Sequence, residues 1–275
     1  MIFFPNCKIN LGLHILRKKE DGFHDLETVF YPIPLVDALE IVQEEKKEQP
    51  ASLTLSGLAV DATPQENICV KAYHLLKKDF NLPPIKIHLH KHIPIGAGLG
   101  GGSADGAFTL LILKKKFNLD ISEEQLINYA LKLGSDCPFF IKNKVCYATG
   151  RGEVLQEINL DLSSYKIVLI NPGIHINTGW AFSQIQPTEN RISLLEIIKQ
   201  PMEQWKENLV NDFEKTIFKK HPSIREIKEQ LYANGAMYAS MSGSGSSVYG
   251  FLPKNSTPVF DLPENYFIQW LRSQL

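Results

Sequence analysis

Cysteine is scarce in this 275-residue chain: Cys7, Cys69, Cys137 and Cys146 form no CxxC pair, so the spacing of a zinc ribbon is missing. Met1 to Lys8 lack a basic stretch followed by an apolar one, so no secretory signal is expected. Without such a signal, the four thiols are expected to be reduced, small and buried in a cytoplasmic protein rather than joined in two disulfides. No apolar run reaches the length of a membrane-crossing helix, and no membrane partner is expected. Charge of one sign is not in excess. Lys plus Arg total 29 and Asp plus Glu 30, a net charge of −1, which excludes a protein built mainly to neutralise duplex nucleic acid. Repeats and low-complexity segments are absent too. The remaining composition, 44% apolar and 21% charged, is that of an ordinary globular chain long enough for one large or two small domains.

What is present is a strand-rich front half and a more helical back half. Ile9, Leu11, Leu13 and Ile15 alternate with Lys8, Asn10, Gly12 and His14, which predicts a strand with Lys8 and Asn10 off its apolar face. The turn Lys19-Glu20-Asp21-Gly22 follows, then strand over 28–42, interrupted by Pro32 and Pro34. Apolar spacing predicts a helix over 67–80, stopped by Pro83-Pro84. Ile85, Ile87 and Leu89 alternate with Lys86, His88 and His90, predicting another strand. Helices are expected over 103–116 and 123–133, the second ended by Gly134. Strands are expected over 144–149 and 166–171. Helices over 193–219 and 223–234 precede two strand pieces in 237–251, and a domain boundary falls near 155–163. His88, His90 and His92 share a strand face at a spacing that could hold zinc, but with no acidic or cysteine partner nearby they read as a solvated face.

The most informative local feature is Pro94-Ile95-Gly96-Ala97-Gly98-Leu99-Gly100-Gly101-Gly102-Ser103-Ala104, with five glycines in seven residues. Strand, glycine loop and helix start together make an anion site. Backbone N–H groups and the positive end of the helix dipole converge on a phosphate. Ser103 at the helix start can cap it or reach a phosphate or metal oxygen. No Gly-Lys-Ser/Thr is present, so this is not a Walker A loop. Gly96-x-Gly98-x-x-Gly101 fits a dinucleotide-binding pattern, but Asp120, near the distance of the acidic partner, has no strand before it.

This glycine segment resembles the phosphate motif of the GHMP kinases, the family of galactokinase, homoserine kinase and mevalonate kinase. Four more segments agree in order along nearly the whole chain: Pro5-Asn6-Cys7-Lys8-Ile9-Asn10-Leu11, Asp21-Gly22-Phe23-His24-Asp25-Leu26, Leu133-Gly134-Ser135-Asp136-Cys137-Pro138, and Ser242-Gly243-Ser244-Gly245-Ser246. The resemblance implies an α+β protein with two lobes and the active site in the cleft between them. The first, over 1–160, resembles ribosomal protein S5 and carries the nucleotide phosphate loop; the second, over 161–275, is ferredoxin-like. It implies an ATP-dependent kinase of a small-molecule alcohol, a monomer or weak homodimer, using ATP and Mg²⁺. The Asp-Gly-aromatic-His turn resembles the cytidine-contacting turn found in part of the family, which implies as acceptor the 2-hydroxyl of 4-diphosphocytidyl-2-C-methyl-D-erythritol, on the non-mevalonate route to isoprenoid precursors. The alternatives are a homoserine- or mevalonate-type kinase, a dinucleotide-binding oxidoreductase and a catalytically silent relative.

By the same resemblance, Asp136 is the general base for the attacking hydroxyl, although its position also suits a helix N-cap. Lys8 holds charge beside it, and Asn10 contacts substrate. Phe23 and His24 hold the cytosine by stacking and by hydrogen bonds; the family pattern usually has tyrosine where Phe23 stands, so the ring is kept and the hydroxyl lost. Phe30 closes the other face of the base. Thr178, Gly243 and Gly245 approach the substrate. Asn67 and Lys91 hold adenine, and Asn67 is equally suited to an N-cap. Asp105 complements the helix dipole. The resemblance leaves the protein ligands of Mg²⁺ unassigned.

Overall fold

The computed structural model describes residues 1–45, 49–59 and 63–272. In chain order the first elements are β1 (Ile2–Phe3), β2 (Asn6–Lys18), β3 (His24–Val36), β4 (Ala38–Gln43), β5 (Ala51–Gly57), α1 (Ile68–Lys77) and β6 (Ile85–Lys91). Then come α2 (Gly101–Lys116), α3 (Glu123–Leu133), α4 (Cys137–Lys142), β7 (Cys146–Thr149), β8 (Val154–Glu157), β9 (Tyr165–Asn171) and α5 (Thr178–Ser183). The last are α6 (Leu194–Ile197), a 3₁₀ turn (Met202–Gln204), α7 (Trp205–Asn208), α8 (Phe213–Lys220), α9 (Pro222–Ala233), β10 (Tyr238–Met241), β11 (Val248–Pro253) and β12 (Phe267–Arg272). The chain is α+β, and it divides into two compact units that interleave in sequence. One takes 1–7, 35–95 and 100–144; the other takes 8–34, 96–99 and 145–275.

The first unit is a sheet ordered β1-β4-β6-β5, with β4 antiparallel and β5 parallel to β6. Ile85, Ile87 and Leu89 of β6 are buried and the residues between them are not, as period-two alternation requires. Helix α1 buries Val70, Ala72, Tyr73 and Leu76, and α2 comes so near it that a Cβ at Gly106 would lie 2.7 Å from Ile68. Ser122 and Gln125 form a capping box that starts α3.

The second unit holds two sheets, β2-β3-β7-β8 and β10-β11-β9-β12. Their shared core includes Leu13 and Ile15 from β2, Val168 and Ile170 from β9, and Phe213, Ile217, Ile224 and Ile227 from α8 and α9.

Several expectations change. Strand β3 runs through Pro32 and Pro34 and breaks instead at Asp37. Its pairing with β7 covers Thr28 to Phe30 only, so both prolines fall past that partner, where a missing N–H costs no bond to it. The helix expected over 193–219 is four short pieces. Pro201 removes a donor and crowds the preceding turn. Between α7 and α8, the Leu13 N–H donates to Val210 O and the Asp212 N–H to Leu13 O, which draws the chain out beside β2. Helix α1 ends at Lys77, ahead of the proline pair, and α2 begins at Gly101, two residues early.

Candidate functional site

Strand β6 leads through the glycine loop into α2. Gly96, Gly98 and Gly100 have φ of 64°, 77° and 70°, so every second residue is left-handed. That alternation turns neighbouring N–H groups to one side, the geometry that receives an anion. Gly100 is the N-cap of α2, and the Ala104 N–H already donates to its carbonyl at 2.9 Å. A Cβ on Gly101 would meet Ile93 Cγ2 at 2.9 Å, so the fold itself demands glycine there. A Cβ on Gly102 would meet nothing within 4 Å. Pro94 is half-buried, while Leu99 and Ala104 are buried.

Ser103, third in α2, hydrogen-bonds the Cys137 thiol at the start of α4, which ties the first turn of α2 to the residue after Asp136. Burial pushes that thiol up to about 12, against the Ser103 bond and with added push from the Asp136 carboxylate. Asp136 occupies the N-cap position of α4 with helical backbone angles, and its side chain makes no capping hydrogen bond. Asn67 does cap: its carbonyl oxygen accepts the Cys69 N–H at 2.9 Å, so an adenine contact would fall to its amide nitrogen.

Lys91 continues the inward register of β6 and is 4% exposed. Its ammonium lies between Asp37, in a short ion pair, and Asp105 at 2.8 Å. The expected dipole role of Asp105 is corrected. With α2 starting at Gly101, Asp105 lies past the first turn and points into the core. Burial and the neighbouring Asp37 push its carboxyl up, Lys91 pulls it down, and the balance stands at about 7.

In the second unit, Lys8 and Asn10 are buried, contrary to the outer face expected of them, because β2 is covered on both sides. The Lys8 ammonium donates to Asn10 Oδ1 at 2.5 Å and to Gly98 O at 3.5 Å, and lies 4.8 Å over the Phe30 ring. Asn10 Nδ2 donates to the Thr28 hydroxyl at 2.9 Å. The Ser242 hydroxyl accepts the Asn10 N–H at 3.2 Å and donates to Gly98 O at 2.8 Å. Backbone meets backbone here: a Cβ on Gly98 would lie 1.9 Å from Ser242 O. Gly243 and Gly245 are both left-handed, with φ of 55° and 91°. Asn211 Nδ2 pins their loop through Met241 O and Gly243 O, and the Thr178 hydroxyl lies 3.1 Å from that of Ser244.

Phe23 is 50% exposed, with the Arg151 guanidinium 4.5 Å over its ring, while Phe30 is 2% exposed. The two rings expected to sandwich a base therefore present themselves very differently. His24 stacks on Phe182 with centroids 5.1 Å apart and planes at 24°. Burial and then Lys18 lower the His24 pKa, which favours the neutral ring with one donor and one acceptor. Phe182, Arg151, Ser242 and Asp37 were not singled out from the sequence. Their partners lie tens to hundreds of residues away, and only Ser242 stood in a noted motif.

The dinucleotide alternative fails on geometry. Asp120 sits in the irregular stretch between α2 and α3, and the sheet beside the loop is mixed. Among the described residues no group of three or more His, Cys, Asp or Glu could hold a metal; His88 and His90 instead meet the Ser56 hydroxyl at 2.9 and 3.0 Å. Also among the described residues, no helix is long and apolar enough to cross a membrane.

Comparison with known proteins agrees with this layout. The family model for the GHMP kinases N terminal domain matches residues 67–144, and that for GHMP kinases C terminal matches 193–259. A 4-diphosphocytidyl-2-C-methyl-D-erythritol kinase of Bacteroides fragilis is 52% identical over 270 residues, 98% of each chain. A protein of the same name from Bacteroides thetaiotaomicron is 52% identical over 268 residues, 97% of this chain and 98% of that one. A crystal structure of a 4-(cytidine 5'-diphospho)-2C-methyl-D-erythritol kinase superposes with a TM-score of 0.76 at 30% identity, covering 91% of this chain and 89% of that one.

Proposed function

The chain belongs to the GHMP kinases, and from that premise we propose that it transfers the γ-phosphoryl group of ATP to the 2-hydroxyl of 4-diphosphocytidyl-2-C-methyl-D-erythritol. The observation that carries the choice of acceptor is the Phe23-His24 turn. It offers a half-exposed ring under a guanidinium and a neutral imidazole already stacked on an aromatic plane. A planar pyrimidine with a donor–acceptor edge suits those surfaces, whereas mevalonate and homoserine carry no ring to stack.

The remaining roles follow from what each group can do. The loop from Gly96 to Ala104 receives the triphosphate on its N–H groups, with Asn67 and Lys91 toward the adenine side. Asp136, at the N-cap position of α4, takes the hydroxyl proton. Lys8 supplies positive charge where negative charge builds on the transferring group, and Asn10, Thr178, Gly243 and Gly245 shape the acceptor's surroundings. Phe30 supports Lys8 through its ring face. Mg²⁺, when bound with the nucleotide, would supply positive charge against its phosphates. Among the described residues no acidic cluster is available to it, so Ser103 is the side chain we assign to hold it. The four cysteines are buried and joined in no disulfide, which suits work in a reducing cytoplasm.

The test is ADP release by purified protein offered the cytidylyl acceptor, mevalonate and homoserine in turn. Turnover with the cytidylyl acceptor is expected, and Asp136→Asn should lower it by roughly 10²–10⁴-fold without loss of folding. Turnover only with mevalonate or homoserine, or with none of the three, refutes the assignment.

A further inference from the structure

A buried ionic knot lies at the root of the glycine loop. Asp37, at the break between β3 and β4, uses one oxygen to accept the backbone N–H groups of His92 and Ile93, at 2.6 and 2.9 Å. Those are the first residues after β6, where the chain leaves for the loop. Its other oxygen pairs with the Lys91 ammonium. Lys91 in turn pairs with Asp105, on the helix the loop enters. A Cβ on Gly101 would stand 3.5 Å from Lys91 Nζ, so the ammonium sits directly against the first residue of α2. The strand leading into the loop and the helix leading out of it are thus fastened to one cluster. Asp37, Lys91 and Asp105 are 1%, 4% and 2% exposed. One Asp105 oxygen, Oδ1, has no hydrogen-bond partner in its buried place.

We propose that Asp105 and Asp37 are positioning residues for the nucleotide: through Lys91 they hold the two ends of the phosphate loop in register. The proposal rests on the loop being the triphosphate cradle. Lys91 alone would put a positive charge under the positive end of α2, which one carboxylate offsets. Asp37 and Asp105 hold that ammonium from the loop's entry side and from its exit helix, so neither end shifts without breaking a buried ion pair.

Steady-state kinetics at varied ATP with saturating acceptor, and the reverse, test this. Asp105→Ala should raise KM for ATP about tenfold or more, with kcat and the acceptor's KM little changed, because the loop loses its tie while the acceptor's contacts stay. Asp105→Asn keeps an oxygen for Lys91 and should recover most of that loss. If Asp105→Ala does not fold, Asp37→Asn decides in its place: it keeps an oxygen for the His92 and Ile93 N–H groups, weakens the hold on Lys91, and should raise KM for ATP several-fold with the acceptor's KM little changed. An unchanged KM for ATP, or an equal rise in both KM values, overturns the proposal while leaving the kinase reading intact. No ATP turnover by the unaltered chain overturns both.

Discussion

Replacing Gly102 with alanine separates what the loop needs for folding from what it needs for binding. Gly102 is the second residue of α2, and a methyl group there meets no atom within 4 Å. Its backbone is not left-handed, so alanine enters without strain. Glycine in a helix is about 0.5–1 kcal/mol less favourable than alanine, so the variant should be more stable by roughly that amount. For a chain of this size that corresponds to a rise of about 1–4 °C in Tm. Binding should go the other way. In the proposed site, the space the methyl fills is the space a phosphate enters to reach the N–H groups at the helix start. A displacement of about 1 Å in a positioned reactant costs on the order of 10²-fold in rate, and kcat/KM for ATP should fall by that order. Thermal unfolding and ADP-coupled kinetics on the same preparation give both numbers. A higher Tm with unaltered ATP kinetics refutes the cradle, and a lower Tm refutes the open space assigned to Gly102.

Gly98→Ala should behave in the opposite way. Its left-handed backbone alone costs alanine about 1–2 kcal/mol, and the 1.9 Å approach to Ser242 O forces two loops apart, so stability and turnover should fall together; a variant with normal Tm and activity contradicts the contact. Acid stability should depend on Glu27, whose carboxyl sits among His14, Tyr147, Leu194 N–H and Ser193. Burial pushes its pKa up, but those partners outweigh burial and hold it at about 2, below the ordinary 4.5. Because the folded-state value is depressed, the stabilisation is present above about pH 4.5 and lost as pH falls toward 2. Urea unfolding across that range should show a shallower acid limb for Glu27→Gln; an identical limb rules the network out as the cause.

How far the sequence could be read depends on where each residue's partner lies. The glycine loop and its helix were legible because five glycines in seven residues stand between a period-two strand and a helical stretch. Lys91 was legible in register but not in role. The alternation that buries Ile85, Ile87 and Leu89 puts residue 91 inward as well, yet the acids that make an inward lysine tolerable come from Asp37 and Asp105, outside any local pattern. Lys8 and Asn10 failed differently. Period two correctly set them opposite Ile9 and Leu11, but nothing local reveals that the other face of β2 is covered too. In the helix expected over 193–219, the break at Pro201 follows a local rule that the expectation passed over, whereas the pull of Leu13 on residues 210–212 lies outside any local pattern. Phe182 stacks on His24 from 158 positions away, beyond any window that periodicity can use.

The interleaving of the two units sets an order of events during synthesis. The first unit needs nothing beyond residue 144, so it can close while the last 131 residues are still to be made. The second cannot, because β2 and β3 are made early and their partners β7 to β12 arrive last. The Lys8–Pro34 hairpin, with Ile9, Leu11, Ile15, Val29 and Ile33 all bound for the core, is therefore an apolar ribbon waiting on the ribosome for most of the chain. Lys8 and Asn10 ride on that ribbon, and the Ser242 hydroxyl that fixes Asn10 is some 230 residues downstream. The part of the proposed site carried on β2 is thus among the first pieces translated and the last to take its final shape.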